Sequence, residues 1–118
     1  MIIELAGFHI LLTGIITEKV IDSITAQDDS IGSFISLNDA TEEVGRITNA
    51  YKKDDIDLTI LLTHIDLDSD KQPAQMLKPE WGVDMILGGH SHSILEIPEN
   101  VNNILIAQVG VGTDQIGR

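Results

Sequence analysis

Val83-Asp84-Met85-Ile86-Leu87-Gly88-Gly89-His90-Ser91-His92 runs from a strand-like apolar stretch straight into two glycines and a pair of histidines. Short apolar runs bounded by turn residues read as buried strands, and adjacent glycines let the backbone turn sharply and approach a neighbour closely. A second run, Leu58-Thr59-Ile60-Leu61-Leu62-Thr63, ends on His64. Three of the chain's four histidines therefore stand just past the ends of two predicted strands. Open α/β sheets bind ligands at the carboxyl ends of their strands, and neutral imidazole is the commonest metal ligand. The pattern predicts a metal site containing His64, His90 and His92. The plainer alternative is three solvated histidines at strand ends.

Working outward, His9–Ile16 is an apolar, β-branched run and predicts another buried strand. Thr17–Leu37, with Asp28-Asp29-Ser30 and Gly32, reads as a surface excursion. Asp39-Ala40-Thr41-Glu42 has the spacing of a capping box and predicts a helix to about Lys53, its apolar stripe formed by Val44, Ile47, Ala50 and Tyr51. Asp70 is placed to cap a second helix over 70–78, with Pro73 in its first turn and Pro79 limiting its end. Ser93–Ile97 and Asn103–Val109 are extended runs joined by the turn-rich segment 98–102. Strand, helix, strand, helix, strand predicts parallel βαβαβ units in a mixed α/β sheet, followed by an antiparallel hairpin. No repeat or linker divides residues 1–118, which read as one domain.

Ile60-Leu61-Leu62-Thr63-His64, then Pro79-Glu80-Trp81-Gly82-Val83-Asp84 leading into Gly88-Gly89-His90-Ser91-His92, resembles the second half of a calcineurin-like metallophosphoesterase domain. Within that superfamily it is most similar to the 5′-nucleotidase and 2′,3′-cyclic phosphodiesterase group, from about Phe8 to Arg118. The family orders its ligand blocks as D-x-H, G-D-x-x-D, G-N-H-[ED], a lone histidine and G-H-x-H. Only the last two occur here. The resemblance therefore implies the C-terminal portion of a catalytic domain and a partial αββα sandwich. It also implies a two-metal phosphohydrolase acting on nucleotide or other small phosphate esters by a metal-activated water.

Residue by residue, the resemblance matches His64 to the lone histidine and His90 to the first histidine of G-H-x-H, both on one ion. His92 matches the second histidine, on the other ion. Two-metal phosphatases space their ions roughly 3.5–4 Å apart. Zinc, manganese and iron all remain open as the two divalent ions. No catalytic residue is assigned within the chain, and no substrate-binding residue either. Related sequences usually carry glycine where Asp66 stands, a departure beside the lone histidine. Trp81 and Gly82 read as anchors of the strand entry. Three classes of function stay open: part of a hydrolase, a metal-binding module without catalysis, and a structural remnant of the fold.

The chain has 118 residues and 42% hydrophobic content, enough for a real core. A net charge of −12 argues against a nucleic-acid partner, because backbone phosphates are bound by Lys and Arg. It does not exclude a small phosphorylated substrate, since bound divalent ions dominate the charge of such sites. With no cysteine, disulfides and thiolate metal sites are excluded. No membrane span or signal peptide is legible, and the family's frequent secretion or cell-surface location is an expectation from resemblance only.

Two further readings complete the site. His9 reads as a strand-end residue rather than a ligand. Asp66, Asp68 and Asp70 alternate like a calcium loop, but Lys71 and Leu77 stand where an EF-hand needs glycine and glutamate; helix capping by Asp70 with the others solvated is the reading preferred. The strands are apolar on both faces while the two helices can cover only one. An uncovered sheet face, and a homodimer through it, is expected.

Overall fold

Parallel strands buried on both faces are continuous apolar runs, and that is how β2 (Phe8–Ile16), β3 (Leu58–His64) and β4 (Met85–Leu87) are written. The structure, a computed structural model, describes residues 1–16, 36–112 and 116–117. The surface excursion expected at Thr17–Leu37 falls almost wholly outside them. Among the described residues, the order is β1 (Ile2–Leu5), β2, α1 (Leu37–Ala50), β3, α2 (Leu67–Met76), a 3₁₀ turn (Pro79–Trp81), β4, β5 (Glu99–Val101) and β6 (Ile104–Ala107). One sheet results, ordered β1-β2-β3-β4-β6-β5. The inner four strands are parallel, and β1 and β5 flank them antiparallel. The mixed α/β sheet with βαβαβ and a closing hairpin is as predicted; β1 is an addition.

Turn chemistry moves the hairpin. Asn102 and Asn103 both have positive φ, 55° and 64°, the conformation of the tight turns that suit twisted strands. The turn therefore falls there, and β5 forms inside the stretch read as a turn. Ser93–Ile97 makes only the single bridge Ile94↔Val109. Ala6 and Gly7, with φ of 52° and 84°, turn β1 into β2 in the same way. Asn102 also donates its amide to the carbonyls of Ala74 and Leu77 at 3.2 and 3.0 Å. It thereby satisfies acceptors that the end of α2 leaves open.

Both helices start earlier than predicted. Ser36 caps α1: its Oγ accepts from the Asp39 N–H at 3.1 Å and donates to Asp39 Oδ2 at 2.8 Å. Asp39 is the reciprocal partner rather than the cap. Asp66 caps α2 by accepting from the Ser69 N–H at 2.9 Å, which leaves Asp70 inside the helix and fully buried. The buried stripe of α1 is Thr41, Val44, Gly45 and Thr48, rotated from the predicted one. Thr41 and Thr48 can turn inward because their hydroxyls donate to the Leu37 and Gly45 carbonyls within the helix.

The core lies between the helices and one sheet face. Leu61, Ile86 and Ile106 are fully buried there, with Val44, Ala74, Leu77 and Trp81 packed against them. Each large apolar side chain among them contributes roughly 2–3 kcal/mol of hydrophobic stabilisation. Among the described residues, no helix covers the other face. By register, Ile3, Phe8, Ile10, Leu12, Ile60, Leu62, Met85, Leu87 and Leu105 share it, and Phe8, Leu62, Leu87 and Leu105 are exposed.

Gly45 lies mid-helix, where glycine costs about 1 kcal/mol relative to alanine. Its reason is Trp81: a Cβ at Gly45 would fall 2.4 Å from the indole ring. Gly45→Ala should therefore destabilise the fold by about 2 kcal/mol, overpacking outweighing the gain in helix propensity. Urea titration followed by Trp81 fluorescence measures it, and a neutral or stabilising result would refute this packing.

Candidate metal centre

The register of β3 on β4, Ile60↔Met85, Leu61↔Ile86 and Leu62↔Leu87, brings both strands to an end at the same level of the sheet. His64 closes β3, and the chain leaving β4 passes it as Gly88-Gly89-His90. The rings of His64 and His90 meet edge to face, with centroids 5.0 Å apart and His90 Nδ1 3.3 Å from His64 Nε2. Gly89 eases that approach, since a Cβ there would lie 3.2 Å from His64 Nδ1, a tight contact.

Several backbone and side-chain bonds shape the loop. The Gly88 N–H continues the sheet by donating to the Ala107 carbonyl at 2.9 Å, and the Asp66 N–H donates to the Gly89 carbonyl at 3.2 Å. Ser91 Oγ accepts from the Leu67 N–H at 3.1 Å, tying the loop to the start of α2. Gln108, just past β6 and buried, accepts from Ser91 Oγ and from the Ser93 N–H on its Oε1, both at 2.9 Å. Its Nε2 donates to the Gly89 carbonyl at 3.1 Å. Neither Gln108 nor Ser91 was singled out from the sequence. The only signal was an amide residue closing an apolar run.

Backbone strain gathers here. His90 and His92 have φ of 80° and 55°, and Asp66 has φ 82° with ψ 161°. The last region is one that glycine alone adopts readily, which gives a physical reason for the glycine that the resemblance leads one to expect there. In this chain Asp66 accepts the strain and caps α2.

The spacing of His64 and His90 is compatible with two ligands of one ion. Two nitrogens bound to one tetrahedral ion at about 2.0–2.1 Å stand about 3.3–3.4 Å apart, the separation found between His64 Nε2 and His90 Nδ1. For a direct N–H···N bond the same distance is long. Among the described residues no three His, Asp or Glu side chains are grouped to hold one ion. His92 stays on the same loop without joining the pair. His9 is elsewhere, at the start of β2, where its N–H donates to Asp57 Oδ2 and its Nδ1 meets the Asp55 carbonyl.

Beneath the loop lies Asp70. Its two oxygens are buried without a well-formed hydrogen bond, and a Cβ on Gly88 would fall 2.0 Å from Oδ2. Burial lifts its carboxyl from 3.8 to about 6, Asp66 adding to the rise and the nearby Thr63 hydroxyl and Gln108 amide opposing it. The sequence reading of Asp70 as a helix cap is thus overturned: one turn into α2 its side chain points at the sheet.

A carboxyl raised on folding holds its proton more tightly in the folded state, so its contribution is present below about pH 4 and lost as pH rises through about 6. The loss is at most about 3 kcal/mol. Asp70→Asn should remove it, so that the variant's advantage over wild type grows between pH 4 and 6 and then levels off. Urea unfolding of both proteins across that range reads the difference; parallel curves would show that Asp70 is not penalised by burial.

The chain is 32% identical over 104 residues to the trifunctional nucleotide phosphoesterase protein YfkN of Bacillus subtilis, covering 87% of this chain and 7% of that protein. It is 38% identical over 66 residues to an apyrase of Aedes aegypti, covering 56% of this chain and 11% of the apyrase. An apyrase of Anopheles gambiae matches at 36% over 63 residues. The chain thus spans about a tenth or less of the length of these relatives. No family model matches it. A hypothetical protein from Thermus thermophilus has a similar fold, with a TM-score of 0.58 at 14% identity over 92% of this chain and 37% of that one. Matched over part of their length, the chain belongs with the 5′-nucleotidase-type metallophosphoesterases.

Proposed function

We propose that this chain forms part of a two-metal phosphohydrolase of the 5′-nucleotidase type, acting on nucleotide phosphate esters, and that it contributes His64, His90 and His92 as metal ligands. What carries the reading is the 3.3 Å approach of His90 Nδ1 to His64 Nε2 at the carboxyl end of the sheet. The names of the relatives, nucleotide phosphoesterase and apyrase, support the substrate class. His64 and His90 would hold one ion, and His92 the other. Such ions supply an activated water and neutralise charge on the phosphoryl oxygens. The histidines' own task is to present unprotonated nitrogens from a loop whose backbone is tied to Ala107, Asp66 and Gln108.

The blocks D-x-H, G-D-x-x-D and G-N-H are not in these 118 residues, so the reading assigns the remaining ligands to other residues and leaves this chain inactive alone. Calorimetric titration with zinc should give weak binding that drops at least tenfold in His64→Ala and in His90→Ala. Hydrolysis of nucleoside monophosphates by the chain alone should be absent. Binding indifferent to both substitutions would sink the metal assignment. Turnover that vanishes in His90→Ala would instead mean a self-sufficient site. A non-catalytic metal-binding or structural role remains the alternative if binding occurs without any hydrolysis even when the missing blocks are supplied.

The uncovered sheet face adds a partner to the proposal: a second copy of the chain. The strand positions assigned to that face carry no carboxylate, although the chain has 19 Asp and Glu. Two acidic chains can therefore meet there without like charges at the contact, burying apolar surface of the kind monomers seldom expose. Light scattering at micromolar concentration should give twice the 12.9 kDa chain mass. A monomer mass without binding of an apolar dye would overturn this.

A further inference from the structure

Gln108 is 2% exposed and stands where β6 has just ended, directly behind the histidine loop. Buried amide groups are retained where their donors and acceptors are used; this one also lies beside Asp70, and its well-formed bonds run to one loop. Oε1 accepts from Ser91 Oγ and the Ser93 N–H, and Nε2 donates to the Gly89 carbonyl. Those three residues bracket His90 on both sides. The backbone of Gln108 binds the same segment again, its carbonyl accepting from the Leu95 N–H at 2.9 Å. His90 itself is held at φ 80°, a conformation that costs energy outside glycine and persists only when its surroundings dictate it.

We propose that Gln108 is the positioning residue of this site: its side-chain amide locks Gly89, Ser91 and Ser93, and so fixes where His90 presents its ring to His64. The proposal deepens the metal-site reading and rests on it for its metal-binding consequence alone. Gln108 touches neither histidine ring; it acts through the loop. Gly88 and Gly89 make the arrangement possible, because a Cβ at Gly88 would fall 2.8 Å from Gln108 Nε2 and one at Gly89 would press on His64. The serine between the histidines gains a role by the same geometry. Ser91 Oγ joins Gln108 Oε1 to the Leu67 N–H, linking β6, the loop and α2 through one hydroxyl.

The test is Gln108→Met, which keeps the length and burial of the side chain but removes its amide. In the metal-free, isotope-labelled chain, amide exchange over Gly89–Ser93 should quicken at least tenfold. The imidazole nitrogen signals of His64 and His90 should shift, and those of His9 should not. Zinc affinity by calorimetry should fall about tenfold, in line with the loss of supporting hydrogen bonds around metal ligands. A general loss of stability would instead speed exchange everywhere and leave the imidazole signals of the folded protein unchanged. Should Gln108→Met fail to fold, Ser91→Ala removes the contact from the loop side and should move the same signals the same way. Unchanged loop exchange and unchanged His64 and His90 signals in the folded variant would overturn the proposal. If wild type takes up no zinc, the metal reading fails, while exchange and imidazole signals still decide the role of Gln108.

Discussion

Everything at the candidate site follows from the parallel pairing of β3 with β4. Three residue pairs, Ile60↔Met85, Leu61↔Ile86 and Leu62↔Leu87, set the register. Because side chains alternate along a strand, a slip of one residue would carry Leu61 and Ile86 out of the core. Both are fully buried between sheet and helices, so the register is held by apolar burial far from any ligand chemistry. Its consequence is that His64 and the loop after β4 arrive at one place. The meeting of the two imidazoles is a by-product of hydrophobic packing beneath it.

Polar groups then refine what packing has placed. The loop from Gly88 to Ser93 has no regular ladder of its own, and its backbone groups bond instead to Ala107, Asp66, Gln108 and Gly110. Those partners come from β6, from the stretch just after it and from the turn between β3 and α2, so the loop reports on the assembly of the whole carboxyl edge. Asp70 is the energetic counterweight. It occupies the space that glycine at position 88 leaves free, and its burial is unfavourable when ionised. Strained φ at His90, His92 and Asp66 belongs to the same pattern, in which stability from the core sustains local conformations that the isolated segments would not adopt.

Among the described residues, the helices cover one side of the sheet only. Trp81 packing on Gly45, and Val44, Ala74 and Leu77 on Leu61, Ile86 and Ile106, close the helix-covered face. Across the sheet, Leu62, Leu87 and Leu105 share the other face and are exposed. His64 lies on this open side by alternation from Leu62, so whatever covers the apolar face also borders the candidate site.

From the sequence alone, the parallel strands, both helices, the presence of a closing hairpin and the strand-end placement of His64 and of the Gly88–His92 loop were legible. Apolar runs, glycine pairs and strand-end histidines are local patterns, and local patterns survive without knowledge of the partner. What sequence could not convey was which of several able residues takes a local role, and every feature that depends on a distant neighbour. Ser36 rather than Asp39 caps α1, since Asp39 also has an acceptor side chain and only the backbone path distinguishes them. The hairpin turn is at Asn102-Asn103 because their left-handed φ suits paired strands. Asp70 is buried, and Gln108 is the hub of the histidine loop, because β6 and α2 converge beneath it. Spacing along the chain specifies what each segment is able to form; which polar group faces which is settled only when segments far apart in sequence are packed against one another.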